Sequence, residues 1–276
     1  MTRYILPVIL VYSMCFLSGS IVEHHILQTT LDTLQYPEEK HFKNLRQLTF
    51  GGDNAEAYFS FDGKYLVFQK TNPNEGIMCD QIWMGKLPTR ADEPFRPKLV
   101  STGTGRTTCS FFYPDGKHVK RITNTLGYDG GGWFSPDGKK IVWRASRPKT
   151  LAEIADYKDL LSKNQVAPTS MEVWIANADG SDAHQVTFLE KANWAPNFLP
   201  DGKHIIFCSN HEYKRGYPFN MYITGIDGKG LEKISHDKGF DAFPMFSNDG
   251  NKIAFSSNRN NGGTRDTNIF IADWVE

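Results

Sequence analysis

Five stretches of this chain repeat one pattern: FSFDGKYLVF at 59–68, FYPDGKHV at 112–119, FSPDGKKIVW at 134–143, FLPDGKHIIF at 198–207 and FSNDGNKIAF at 246–255. Each sets a polar Asp-Gly turn between two short runs rich in aromatic and β-branched residues, the signal for a tight β-hairpin. Upstream of each turn lies a further strand signal: LRQLT at 45–49, PKLVS at 97–101, VKRIT at 119–123, AHQVT at 183–187 and LEKIS at 231–235. Another strand precedes most of these, as in MEVWIANADGSD at 171–182 and NMYITGIDGKG at 220–230. The repeating unit is therefore four strands, A to D, with the Asp-Gly turn between A and B. Four-stranded units recurring at roughly 40 to 50 residues predict a β-propeller, because one sheet cannot bury both of its faces and its neighbours must stack around a channel. A β-sandwich has no reason to repeat the same hairpin five times.

The ends of the chain predict how the ring is tied. The last repeat supplies strands A, B and C near 242–246, 252–256 and 268–273, but no strand D, while an unpaired D-type strand, Leu45 to Thr49, precedes the first strand A. The N- and C-terminal strands are expected to share the closing blade, which leaves no open sheet edge there.

Two intervals break the rhythm. The distance from a turn to the next strand D is 38 residues for Asp62 to Val100, 49 for Asp137 to Val186 and 33 for Asp201 to Ile234, but only 7 for Asp115 to Ile122. Seven residues cannot hold strands B and C, so an internal deletion is expected near 118–120. The long interval contains Thr150-Leu151-Ala152-Glu153, a capping box, followed by apolar Leu151, Ile154, Ala155 and Leu161 at helical spacing. This predicts a helical insertion at about 150–164 whose simplest role is to cover blade surface, with gating or partner contact as the other reading.

Outside the repeats, residues 1–20 combine Arg3, an apolar run from Tyr4 to Leu17 and the small residues Ser18-Gly19-Ser20. This reads as a signal peptide, since the run is shorter than the ~20 residues that span a bilayer. Residues 21–43 read as an N-terminal extension and 44–276 as the propeller domain. A secreted or periplasmic protein is expected, a monomer with no membrane span after removal of the signal. Cys79, Cys109 and Cys208 would then meet an oxidising compartment, and their odd number leaves at least one without a partner within the chain. Lys plus Arg and Asp plus Glu each number 31, which argues against a nucleic-acid partner.

The FSPDGKKIVW type of repeat, taken with NADGS at 177–181 and the strand D endings, resembles the repeats of TolB-like propellers, part of a larger set of WD-repeat-like blades that includes the propellers of prolyl-oligopeptidase-type peptidases. The likeness covers about residues 44–276. It implies an all-β propeller of six four-stranded blades, whereas this chain supplies about four complete blades and one hybrid of strands A and D. It implies little about function, because the motif residues make turns and core.

Strand alternation puts the Asp-Gly turns on one face of the ring and the variable D to A and B to C connections on the other. Eight residues before each turn, at the inner mouth of strand A, stand Asn54, Thr107, Asp129, Asn193 and Asp241, with Asp53 and Glu56 beside the first. Four residues beyond the aromatic that ends each complete strand B stand Asn72, Arg147, His211 and Arg259. Together they are expected to ring the channel mouth and to bind a polar peptide end, a sugar or a metal ion, or else to pair with each other and with loop backbone. There is no G-x-S-x-G nucleophile elbow, and only His211 among the blade positions offers an imidazole, so no catalytic residue, metal site or cofactor is expected. The leading reading is a non-enzymatic propeller that binds a protein or peptide at its variable-loop face. The alternatives are a metal-dependent, lyase-like propeller enzyme acting on carbohydrate, with His211, Asp129 and Asp241 near the ion or substrate, and a truncated inactive form.

Overall fold

The computed structural model describes residues 34–101, 123, 125–163, 165–168, 170–214, 216 and 218–275. It is an all-β propeller with four four-stranded blades. The first blade holds β2 (Asp53–Phe59), β3 (Tyr65–Asn72), β4 (Ile77–Lys86) and β5 (Lys98–Leu99), hydrogen-bonded in that order. The second holds β6 (Asp129–Phe134), β7 (Lys140–Ala145), β8 (Glu172–Asn177) and β9 (His184–Gln185). The third holds β10 (Asn193–Phe198), β11 (His204–Ser209), β12 (Asn220–Gly225) and β13 (Glu232–Lys233). In the fourth, β14 (Asp241–Phe246), β15 (Lys252–Ser257) and β16 (Asn268–Trp274) are completed by β1 (Phe42–Gln47), which pairs antiparallel with β16. The shared closing blade expected from the two chain ends is thus present. The repeat at 112–119, the expected deletion near 118–120, Thr107 and the signal segment 1–20 lie outside the described residues.

The Asp-Gly turns are wider than the tight hairpin that their sequence predicts. In the first blade Gly63 N donates to Ser60 O at 2.9 Å with Gly63 at φ 66, and Asp62 Oδ1 accepts from Ser60 Oγ at 2.7 Å and Lys64 N at 3.1 Å. Ser135-Asp137 and Ser247-Asp249 repeat this arrangement. The aspartate turns inward to satisfy the loop's own donors, which holds these carboxyls below their usual range, with the serine hydroxyl as the largest cause. The repeated motif is therefore spent on shape.

Strand B is among the most buried elements of each blade, and its side chains interleave with those of the next. Phe207, Ile205, Val142 and Tyr222 fill the space between the second and third blades; Phe255, Phe270, Phe42 and Met221 fill that between the third and fourth. Leu66, Phe68, Ile269 and Ile271 do the same between the fourth and first. Each such side chain contributes about 1.5–3 kcal/mol by leaving water. Between the first and second blades, Tyr58 and Trp133 approach to 5.2 Å between ring centroids.

Each strand A carries a β-bulge that none of the sequence patterns announced. The register shifts within β2, β6, β10 and β14, and the bulged residues Glu56, Gly131, Ala195 and Phe243 all have φ between 49° and 65°. Bulges of this kind bend a strand and sharpen its twist, which suits an innermost strand that must turn along the channel. Gly131 occupies the left-handed bulge position without the backbone strain that Glu56, Ala195 and Phe243 accept there; a Cβ at Gly131 would meet nothing within 4 Å.

Helix α1 (Leu151–Ser162) follows β7 and opens with the expected capping box: Thr150 Oγ1 accepts from Glu153 N, and Glu153 Oε2 accepts from Thr150 N. One side of it, Ile154, Tyr157 and Leu160, is half-buried. None of its residues is buried, and Leu151 is 88% exposed. Cys208 is a buried free thiol, and burial pushes its pKa up to about 11.

Candidate functional site

The residues expected at the channel mouth are organised blade by blade, through one spacing. A residue at the start of strand A and the residue 18 positions later, at or just past the end of strand B, recur in every blade: Asp129 bonds Arg147, Asp241 bonds Arg259, Asn193 and His211 share Ser209 Oγ, and Asn54 and Asn72 keep the same spacing. Strands A and B form a hairpin, so residues at its open end face each other across the ladder. Both aspartates are matched by arginines.

The two asparagine positions are structural. Asn54 Nδ2 donates to Gly51 O at 3.0 Å and Thr267 O at 3.1 Å; Asn193 Nδ2 donates to Met171 O at 2.8 Å and Glu190 O at 2.9 Å. Each amide thus stitches its own loop to the preceding blade, and both side chains are fully buried. Asn72 caps a short 3₁₀ turn, accepting from Asn74 N. His211 packs against the Tyr222 ring at 4.7 Å with Nδ1 on Ser209 Oγ at 3.1 Å, and burial holds its pKa below the ordinary imidazole range. Its neighbour Glu212 is tied to Lys233 at 2.7 Å. Glu56 accepts from Tyr58 Oη at 3.5 Å beside the bulge. The structure does not bring His211, Asp129 and Asp241 together, and among the described residues no three His, Cys, Asp or Glu groups are arranged to hold a metal ion.

The two aspartate–arginine positions differ from each other. At the fourth blade, Arg259 Nη2 bonds Asp241 Oδ2 at 2.8 Å, and Glu39, from the segment before β1, closes on the same guanidinium with Oε1 at 2.8 Å and Oε2 at 2.9 Å. Arg259 Nη1 also donates to Leu34 O and Nε to Ser257 Oγ, so all five of its donors are used. Tyr36 lies over the guanidinium at 5.4 Å and donates to Asp237 Oδ2 at 2.6 Å; burial and that bond push its hydroxyl up to about 12. Burial opposes the charge on Arg259, but Asp241 and Glu39 outweigh it and hold the proton more tightly than usual. Arg259, Asp241 and Glu39 are 3%, 0% and 0% exposed. This mouth is filled by the chain itself.

At the second blade, Asp129 Oδ1 accepts from Arg147 Nη2 and from Trp143 Nε1 at 2.8 Å. Arg147 Nη1 donates to Tyr128 O at 3.1 Å and Ser146 O at 2.9 Å, and the guanidinium sits 5.0 Å from the Trp174 ring centroid. Here a cleft of about 610 Å³ opens, walled by Arg147, Trp174, Glu172, Lys191, Lys149 and Phe188. Glu172 is engaged, accepting from Thr187 Oγ1 at 2.6 Å and Glu190 N at 2.6 Å, while burial raises its pKa above the usual carboxylate range. Glu190 and Lys191 adopt φ 61 and 54; the matching loop of the first blade uses Gly51 and Gly52 in the same conformation. Two non-glycine residues in that region are held at a cost of about 1–2 kcal/mol each, and they place charged side chains on the cleft wall.

A second cleft of about 480 Å³ opens on the Asp-Gly face, where the sequence predicted only turns. Its imidazoles already have partners: His204 Nδ1 meets Asp201 Oδ2 at 2.5 Å and His41 Nε2 meets Glu232 Oε1 at 3.3 Å.

Compared with known proteins, the chain matches no family model. An uncharacterised protein of Agrobacterium fabrum is 24% identical over 147 residues, a match that spans 49% of this chain and 42% of that protein. Among solved structures, TolB from Acinetobacter baumannii has a TM-score of 0.41 at 18% identity, covering 80% of this chain and 41% of that one. An oligogalacturonate lyase in complex with manganese has a TM-score of 0.39 at 13% identity, covering 84% of this chain and 93% of that one. The chain thus spans under half the length of the relative and of the TolB structure, and these similarities assign it no activity. Among the described residues no helix is long and apolar enough to cross a membrane.

Proposed function

We propose that this chain is a non-catalytic, exported propeller of the TolB-like kind that binds a protein or peptide partner at the loop face of its second blade. The observation that carries the reading is the composition of the cleft and its rim. Charged groups and Trp174 line the interior, while Phe188 at 74%, Leu151 at 88% and Leu161 at 51% exposure stand on the cleft wall and on helix α1. Exposed large apolar side chains together with an arginine and an aromatic in a charged cleft are what a protein-binding surface offers, with the aromatic and arginine as anchors. Helix α1 half-buries Ile154, Tyr157 and Leu160 and leaves Leu151 and Leu161 exposed, so those two are available to a partner. Export rests on the pattern of residues 1–20.

Selection of a displayed peptide library on the full chain tests the proposal. Enriched peptides are expected to bind the Leu151→Glu/Phe188→Glu double variant about tenfold more weakly than the wild type. Equal binding to both, or metal-dependent turnover of a glycan by the purified protein, overturns it.

A further inference from the structure

Arg259 shows what an arginine at this position of a blade does when a carboxylate reaches it. The Glu39 side chain arrives from outside the blade, meets the guanidinium with both oxygens, and brings an aromatic ring, Tyr36, over its face. Arg147 is the same residue of the repeat unit, backed by the same aspartate 18 positions earlier. Among the described residues it spends three donors, two from Nη1 and one from Nη2. A guanidinium has five, so the Nε hydrogen and one on Nη2 remain, on adjacent nitrogens of one edge. That edge suits the two oxygens of a carboxylate. Lys191 adds a second cation on the wall, its ammonium on the carbonyls of Tyr213 and His211. Lys149, at the rim, is exposed. Three glutamates share the wall with these three cations: Glu172 has its oxygens on Thr187 and the Glu190 amide, Glu153 on the helix cap, and the exposed Glu190 side chain stands beside Lys191.

We propose that the cleft over Arg147 is the carboxylate subsite of the partner: it takes the glutamate or aspartate side chain of an acidic peptide on its Nε–Nη2 edge, whereas Arg259 takes Glu39 on Nη1 and Nη2. Trp174 already covers one side of the Arg147 guanidinium, so an aromatic residue of the peptide packs beside the bound carboxylate, toward Phe188. This inference deepens the peptide-binding reading and rests on it. It names the chemistry that reading left open.

The test uses the full chain and two synthetic peptides, one with the sequence of residues 34–40, LQYPEEK, and one with both glutamates changed to glutamine, each labelled for fluorescence anisotropy at low salt. The acidic peptide is expected to bind about tenfold more tightly than its amide counterpart. Arg147→Met abolishes that ratio and Arg147→Lys retains part of it. Lys149→Glu, a surface change that leaves folding intact, weakens the acidic peptide about threefold. Equal binding of both peptides, no binding of either, or an unchanged ratio in Arg147→Met overturns the inference. So does tighter, Arg147-dependent binding of an acidic sugar oligomer than of the peptide. If library selection yields binders with no requirement for Asp or Glu, the subsite falls while the peptide-binding reading stands.

Discussion

The second and fourth blades carry the same aspartate and arginine at the same two repeat positions, yet one pair is sealed and the other opens on a cleft. The difference lies in what arrives from elsewhere. At the fourth blade, the segment from Leu34 to His41 folds against the mouth, delivers Glu39 and Tyr36, and leaves Arg259 with every donor used. At the second, the only carboxylate bonded to Arg147 among the described residues is Asp129. The backing differs too. Trp143 donates to Asp129, whereas Phe255 stands at the matching place in the fourth blade and Asp241 Oδ1 is buried without a partner among the described residues. An identical pair thus serves as a structural joint in one blade and as the proposed subsite in the other, and the repeat motif alone does not separate them.

The largest expected effect comes from removing each arginine in turn. Arg259→Met leaves Glu39 and Asp241 as uncompensated buried carboxylates and is expected to cost about 3–5 kcal/mol in urea denaturation. Arg147→Met should cost about 1–2 kcal/mol, because Asp129 keeps the Trp143 bond and the site is wetter. Equal losses would mean that both pairs are structural joints, and the contrast drawn between the blades would fail. A smaller effect is expected from Gly131→Ala. It forces a Cβ into the left-handed region with no steric clash, so about 1 kcal/mol should be lost to backbone strain alone. The other three bulges already carry side chains, so a much larger loss would show that the second blade is packed more tightly along the channel than its open cleft suggests.

The smallest effect concerns pH and the third blade, where His211 occupies the arginine position. Burial holds its folded pKa below the unfolded value of ~6.5, so the unfolded chain takes up the proton first as pH falls. Above that value His211 contributes no pH dependence; below it, stability declines until pH passes the folded pKa. The melting temperature of His211→Gln should therefore fall less between pH 7.5 and 5.5 than that of the wild type, by about 1–2 °C. Glu212, Lys233, Lys191 and the Tyr222 ring surround the imidazole and remain in both proteins. Identical pH profiles would show that His211 is solvated like a surface residue and that the third mouth is looser than its packing implies.

Much of the architecture is legible in the amino-acid sequence. The Asp-Gly turns, the sharing of the last blade between β1 and β16, and the helix opened by Thr150 and Glu153 all follow from local patterns a few residues long. The bulges at Glu56, Ala195 and Phe243 are not legible there, because those residue types carry no preference for a left-handed conformation; only Gly131 hints at it. The pairing of Asp129 with Arg147 and of Asp241 with Arg259 is written as a constant spacing of 18, but it shows only when the two sets of mouth residues are compared with each other. Glu39 carries no signal at all, lying in a segment with no repeat character, 220 positions from the arginine that it meets.

By itself, the sequence determined which residues would make turns, how four strands would build each blade, and that the first and last strands would share one. Those outcomes depend on local backbone preference and on apolar periodicity, both written within each repeat. Only the tertiary structure decided which of two equivalent arginines retains donors for a ligand, because that depends on where a distant segment comes to rest and how much water it removes. Charge and hydrogen-bond capacity belong to the residue. Whether they are already spent is a property of the fold.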